Sequence, residues 1–175
     1  VLIPDTAHGT NPASAALNGL EVVEVKSGPD GIVHPEALAA LADERTAALM
    51  ITNPNTLGLF ESHIEELSRV VHAAGGLVYL DGANMNALLG VAKPGHMGVD
   101  VMHFNLHKTF STPHGGGGPG AGAVGVAERL MPFMPIPIVG AIVGREEGKD
   151  GARYRWLSER DLPQSIGRLS AFMGN

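Results

Sequence analysis

Residues 47–82 read AALMITNPNTLGLFESHIEELSRVVHAAGGLVYLDG. The opening run Ala47–Ile51 is apolar at every position, the pattern of a strand buried on both faces rather than one alternating with solvent. Further on, Ser62 and Glu65 have the spacing of a capping box, and Ile64, Leu67, Val71 and Ala74 fall on one helical face. Glu65 and Arg69 form an i,i+4 pair on the opposite face, and Gly75-Gly76 end the helix. A second apolar run, Leu77–Leu80, follows at once. Strand, amphipathic helix and strand in this order predict a parallel pair with a crossover helix.

The same alternation extends in both directions. Val1–Ile3 is a strand, and Asn11-Pro12 starts a helix over Pro12–Asn18. Glu21–Val25 is a strand that ends in the turn cluster Ser27–Gly31, and Pro35 opens a short helix to Ala42. A helix around Met85–Leu89 and strands at Val99–Phe104 and Ala123–Ala127 complete the pattern. The expected fold class is α/β, a mostly parallel sheet with helices on both faces. Beyond Met131 the pattern weakens: Pro132, Pro135 and Pro137 predict an extended connection, and Arg145–Asp150 a charged loop. Residues 1–130 are therefore expected to form a core, and 131–175 a connection towards a C-terminal region beyond this sequence. The chain begins without Met and inside a strand, so it is expected to be a fragment, inactive by itself.

Composition narrows the function classes. Lys+Arg 12 against Asp+Glu 18 gives a net charge of −6, which offers nucleic acid no electrostatic support. With no cysteine, a disulfide scaffold, a thiolate metal site and a cysteine nucleophile are all excluded. No apolar run nears the ~18 residues of a membrane span. At 44% hydrophobic residues the chain can bury a core, and its 24 glycines are clustered rather than spread.

In an open parallel sheet, ligands bind beyond the carboxyl ends of the strands. Four strands here lead directly into polar groups: Asp5–His8, Thr52–Thr56, Asp81–Asn84 and Asn105–Lys108. Lys108, one of four lysines, lies among Asn, His, Thr and apolar residues; it is either a surface lysine or a nucleophile that forms a Schiff base. Asp81 ends an apolar strand and precedes the small Gly82 and Ala83. It either caps the next helix or lies under a flat ring, as pyridoxal phosphate requires of the acid that holds its ring proton. Gly120–Gly125 has the spacing G-x-G-x-x-G, but it follows a Pro/Gly loop and enters a strand-like run, so it does not read as a dinucleotide fingerprint. Gly115–Gly118 reads instead as a loop that lets backbone approach a ligand, or as a structural turn. His103 and His107 lie on a strand-to-loop path, and no nearby carboxylate completes a metal set, which argues against a metal. Arg168 is a candidate for a substrate carboxylate or for a surface ion pair.

The stretches Asp81–Asn86 (DGANMN), Asn105–Phe110 (NLHKTF) and Pro113–Gly120 (PHGGGGPG) resemble the glycine decarboxylase P-protein family, the pyridoxal-phosphate component of the glycine cleavage system. Ala7–Ser14 and Ser165–Arg168 also fit, and Asn53–Gly58 is similar to subunit 2 of the split bacterial form. The resemblance implies the large domain of a fold-type-I enzyme. By it, Lys108 is the Schiff-base lysine, Asp81 the pyridinium partner, and Ala83 packs under the ring. Wider analogy assigns His8 to stacking on the cofactor and Asn105 and His107 to its phosphate side, with Asn53 or Thr52 meeting the phenolic oxygen. The implied reaction is decarboxylation of glycine and transfer of the aminomethyl group to the lipoyl arm of H-protein. The implied setting is a bacterial cytoplasmic oligomer that includes the other P-protein subunit, with no membrane or nucleic-acid partner. Another fold-type-I decarboxylase or desulfurase, or a non-catalytic cofactor-binding fragment, is the alternative; a nicotinamide oxidoreductase is disfavoured.

Overall fold

Alternate residues of the strands go to opposite faces of a six-stranded sheet in the computed structural model, which describes residues 1–113, 122–142 and 153–169. The elements of the first compact unit, Val1–Ala127, are β1 (Leu2–Pro4), α1 (Thr10–Leu17), β2 (Val23–Val25), α2 (Pro35–Ala39), β3 (Ala48–Ile51), α3 (Ile64–Ala73), β4 (Leu77–Asp81), β5 (Val101–Asn105) and β6 (Gly122–Val126). The strand order is β2-β1-β3-β4-β5-β6, with β1 to β5 parallel and β6 antiparallel to β5. The mostly parallel α/β sheet expected from the sequence is therefore present.

One face of the sheet is dry. Leu49, Ile51, Val78 and Leu80 are at most 1% exposed and share a core with Leu38 of α2 and Ile64, Leu67 and Val71 of α3. Helix α3 starts one turn-step later than expected: His63 is its N-cap and no side-chain cap bond forms. The Ile64 N–H donates instead to the Glu61 carbonyl (3.1 Å), so a buried Glu61 turn replaces the capping box. Arg69 pairs with Glu66 (3.8 Å) rather than Glu65. Gly75 ends the helix at φ 86°, a left-handed conformation that favours glycine. The stretch Met85–Leu89 makes hydrogen-bonded turns but no regular helix, and a short 3-10 helix at Pro94–Met97 leads into β5.

A second compact unit begins at Glu128. It has a 3-10 helix, Glu128–Phe133, and an antiparallel pair of β7 (Ile138–Ile142) and β8 (Arg153–Leu157). The prolines at 132, 135 and 137 masked this strand pair in the sequence, because Pro137 stands immediately before β7 rather than inside it. Arg155 and Asp161 form an ion pair here, and the guanidinium holds the Asp161 carboxyl far below its ordinary range. Gly115–Gly118, the first two residues of the Gly120–Gly125 motif, and Arg145–Asp150 lie outside the described residues. No helix among the described residues is long and apolar enough to cross a membrane.

Candidate active site

The second face of the sheet forms the floor of a cleft of about 890 Å³. Its strand residues are those that alternate with the dry core: Met50 and Thr52, Tyr79 and Asp81, His103 and Asn105. Period-two alternation thus puts all the polar ends of β3, β4 and β5 on one side, because the strands are parallel and in register. Helix α1 supplies another wall through Asn11, Ser14 and Ala15. His8, Ala83 and Lys108 complete the rim.

Of the predicted residues, the cleft brings together His8, Thr52, Asp81, Ala83, Asn105 and Lys108. Lys108 is exposed at the rim and makes no ion pair among the described residues. Its loop is anchored on both sides. The Lys108 N–H lies 3.5 Å from the Asn105 carbonyl, and the next residue, Thr109, accepts the Met85 N–H (2.8 Å) and donates to Asn84 Oδ1 (3.2 Å). His8 is oriented by the Thr10 N–H, which donates to its Nδ1 (3.1 Å).

Asp81 takes the Ala83 N–H on Oδ1 (3.1 Å), and His103 Nε2 faces the same oxygen at 3.6 Å. The helix-cap reading is not realised, since that bond closes a local turn before an irregular segment. Gly82 is small for a different reason from the one read in the sequence. A Cβ there would lie 2.2 Å from Met102 Cε and 2.7 Å from the His103 carbonyl, so β5, rather than a ligand, occupies the space.

Thr52 and Asn53 part company. Asn53 is 3% exposed and turned into a buried brace: its Oδ1 accepts the Glu61 N–H (3.0 Å) and its Nδ2 donates to the Glu61 carbonyl (3.4 Å). The Glu61 carboxylate, fully buried, accepts the Val33 N–H and Asn55 Nδ2, both at 2.9 Å. This network shapes the loop after β3, and nothing in the sequence marked Glu61 as buried. Thr52 lines the cleft instead. His107 is half-buried and does not line the cleft. Asp5, although it too follows a strand, does not line the cleft and is taken up by Ser27, whose N–H and Oγ donate to Oδ1 at 3.1 and 2.7 Å. Partial burial alone would raise the Asp5 pKa, but these bonds and Lys26 outweigh it and hold the carboxyl below 3.8. Arg168 lies exposed in the second unit, beside Trp156 and Arg160 in a small hollow.

The lining residues that the sequence did not assign to this site include Asn11, Tyr79 and His103. Tyr79 and His103 share strand parity with Asp81 and Asn105, a signal that becomes useful only once β4 and β5 are known to be neighbours. Spacing alone did not bring Asp81 near His103; the sheet register places it directly opposite.

The lining also fits a polar ligand with ring and phosphate parts. Asn11 Nδ2 and Thr52 Oγ1 are buried and have no hydrogen-bond partner among the described residues, yet both residues face the cleft. Buried polar groups are ordinarily paired, so these two mark docking points for a ligand. Asp81 Oδ2 likewise carries no hydrogen bond among the described residues, which leaves an acceptor available for a cationic ring nitrogen. Pyridoxal phosphate matches this donor and acceptor set.

The model of the glycine cleavage system P-protein family matches residues 13–161. A protein named "Probable glycine dehydrogenase (decarboxylating) subunit 2" from Nitrosomonas europaea is 61% identical over 175 residues, which is 100% of this chain and 35% of that protein. The protein of the same name from Legionella pneumophila (strain Paris) is 57% identical over the same 175 residues and 34% of its own length. The chain thus spans about a third of the length of these relatives. Among solved structures, a sphingosine-1-phosphate lyase of Burkholderia pseudomallei superposes with a TM-score of 0.56 at 23% identity, over 70% of this chain and 30% of that one. Aspartate aminotransferase from Thermus thermophilus gives 0.54 at 20% identity, over 62% and 31%. These two share the fold-type-I sheet expected from the sequence. By the family match and the sequence identity together, the chain belongs to the glycine cleavage system P-protein family.

Proposed function

We propose that this chain carries the pyridoxal-phosphate site of a glycine decarboxylase. The observation that supports the reading best is the convergence of Lys108, Asp81 and two unpartnered buried polar groups on one cleft. When bound, pyridoxal phosphate supplies an electron sink for the pair left behind as CO2 departs. Asp81 holds the ring-nitrogen proton that makes the ring a good sink, using the oxygen its protein donors leave open. Lys108 Nζ binds the cofactor covalently and afterwards takes or gives a proton at the substrate carbon. Ala83 lies beneath the ring and His8 covers a face of it. Thr52 Oγ1, rather than Asn53, meets the phenolic oxygen, and Asn105 serves the phosphate side, whereas His107, outside the cleft lining, has no part in it.

In this reading glycine is the substrate, and the aminomethyl group left after decarboxylation passes to the lipoyl arm of H-protein. The complete protein works in the bacterial cytoplasm as an oligomer with the other P-protein subunit. The test is H-protein-dependent release of labelled CO2 from carboxyl-labelled glycine by the complete protein. Lys108→Ala should abolish release. Release at the unsubstituted rate would contradict the reading.

A further inference from the structure

Beside Asp81 the cleft holds a tyrosine and a histidine that the chemistry above does not use. Tyr79 precedes Asp81 by two residues on β4, and so lies on the same face; His103 is the register partner of Asp81 on β5. The Tyr79 hydroxyl is 2.5 Å from His103 Nδ1, and the two rings lie 5.8 Å apart at 21°, close to stacked. The other ring nitrogen, Nε2, faces Asp81 Oδ1 at 3.6 Å. The three side chains form a row, from Tyr79 through His103 to Asp81.

The proton inventory of that row follows from its chemistry. Burial, and secondarily the charge of Asp81, push the Tyr79 pKa above 10.0, so its hydroxyl keeps its proton and can donate. A donated Tyr79 proton makes Nδ1 the acceptor, and a neutral imidazole then carries its hydrogen on Nε2. That hydrogen is directed at Oδ1, the oxygen that already accepts the Ala83 N–H. At 3.6 Å the approach is an electrostatic contact rather than a full hydrogen bond. Both protein donors therefore gather on Oδ1, and donors on a carboxylate favour its charged form. Oδ2 is left for the ligand.

Resting on the cofactor reading above, we propose that His103 is a positioning residue for Asp81. Fixed in its Nε2–H tautomer by Tyr79, it keeps the carboxylate charged and so keeps the shared proton on the pyridine nitrogen. Without His103 the proton moves from the ring towards Asp81, and the sink weakens although every residue that touches the cofactor is still present.

The test uses the complete protein. Nitrogen-15 histidine spectra of the cofactor-free form should show His103 as the Nε2–H tautomer, and Tyr79→Phe should admit the Nδ1–H form. After reconstitution with ring-labelled pyridoxal phosphate, the ring nitrogen should read as protonated. His103→Ala should lower the ring-protonation constant by a few-fold, less than the roughly tenfold worth of a full hydrogen bond to a charged group, because the approach is an electrostatic contact at 3.6 Å. His103→Gln, whose amide N–H can reach the same oxygen, should restore most of it; this variant and Tyr79→Phe carry the test if the alanine variant does not fold. An Nδ1–H tautomer in the unsubstituted protein, or an unchanged ring-nitrogen signal in His103→Ala and Tyr79→Phe, would overturn the proposal. Borohydride reduction of the same samples separates the two readings. Cofactor fixed on Lys108 with an unchanged ring signal defeats the role of His103 alone, whereas no cofactor on Lys108 defeats both.

Discussion

The two faces of β3 and β4 come from the same residues in alternation, yet they do different work. Leu49, Ile51, Val78 and Leu80 face α2 and α3 and are sealed from water, whereas Met50, Thr52, Tyr79 and Asp81 face the cleft. Among the described residues, it is the cleft face that carries an unpartnered buried hydroxyl and a carboxylate oxygen without a hydrogen bond. A one-residue shift of register would exchange the two sets, so the packing of the dry face is what aims the polar groups. Stability and chemistry are thus separated by parity within single strands. Substitutions on the two faces should have separable effects.

The largest expected effect on folding lies on the dry face. Leu80→Ala removes a fully buried side chain and should cost about 2–5 kcal/mol, read as a lowered denaturation midpoint. Its neighbour Asp81→Asn should leave that midpoint nearly unchanged while turnover falls on the order of 10²-fold, since a neutral amide cannot hold the ring proton. Comparable loss of stability in both variants would break the separation of the faces.

A sharper version contrasts adjacent residues. Asn53→Ala leaves the buried Glu61 N–H without its acceptor and should cost about 1–3 kcal/mol of stability with little change in cofactor affinity. Thr52→Val should do the reverse. It removes an unpartnered hydroxyl, so the cofactor-free protein loses nothing, but cofactor binding should weaken about fivefold, the worth of one hydrogen bond near 1 kcal/mol. Equilibrium titration of the cofactor and thermal melts of both variants check the pair.

The smallest effect belongs to Asp5, which lies outside the cleft lining and braces the β1–β2 edge of the sheet through Ser27. Its folded pKa lies below the ordinary value of 3.8, so its ionised form stabilises the fold at neutral pH. That contribution is present above the unfolded value and is lost as pH falls through the folded one. The stability advantage of the unsubstituted protein over Asp5→Asn should therefore shrink below about pH 4. A difference that grows with acid would contradict the assignment.

What could be read in advance follows the range of the forces involved. The strands at Ala48–Ile51 and Leu77–Asp81 were legible from their continuous apolar runs, although only one face is sealed and the other lines the cleft. Lys108 and Asp81 were legible because polar residues that end such strands point to one rim. The capping box failed because Ser62 and Glu65 meet only local criteria, while the helix start is set by Glu61, whose partners Val33 and Asn55 come from other loops. For the same reason Asn53 could not be told from Thr52: only the distant Glu61 distinguishes them. His103 needed the β4–β5 register, and the β7–β8 pair was hidden by prolines that flank it.

The central claim is that the cleft face binds pyridoxal phosphate through Lys108. Reconstitution of the complete protein with the cofactor, borohydride reduction and peptide mapping test it directly. The account predicts that the reduced label is found on the peptide containing Lys108 and that Lys108→Ala abolishes it. A label on Lys26, an exposed partner of Glu24 and Asp5, or on Lys93 instead would contradict it.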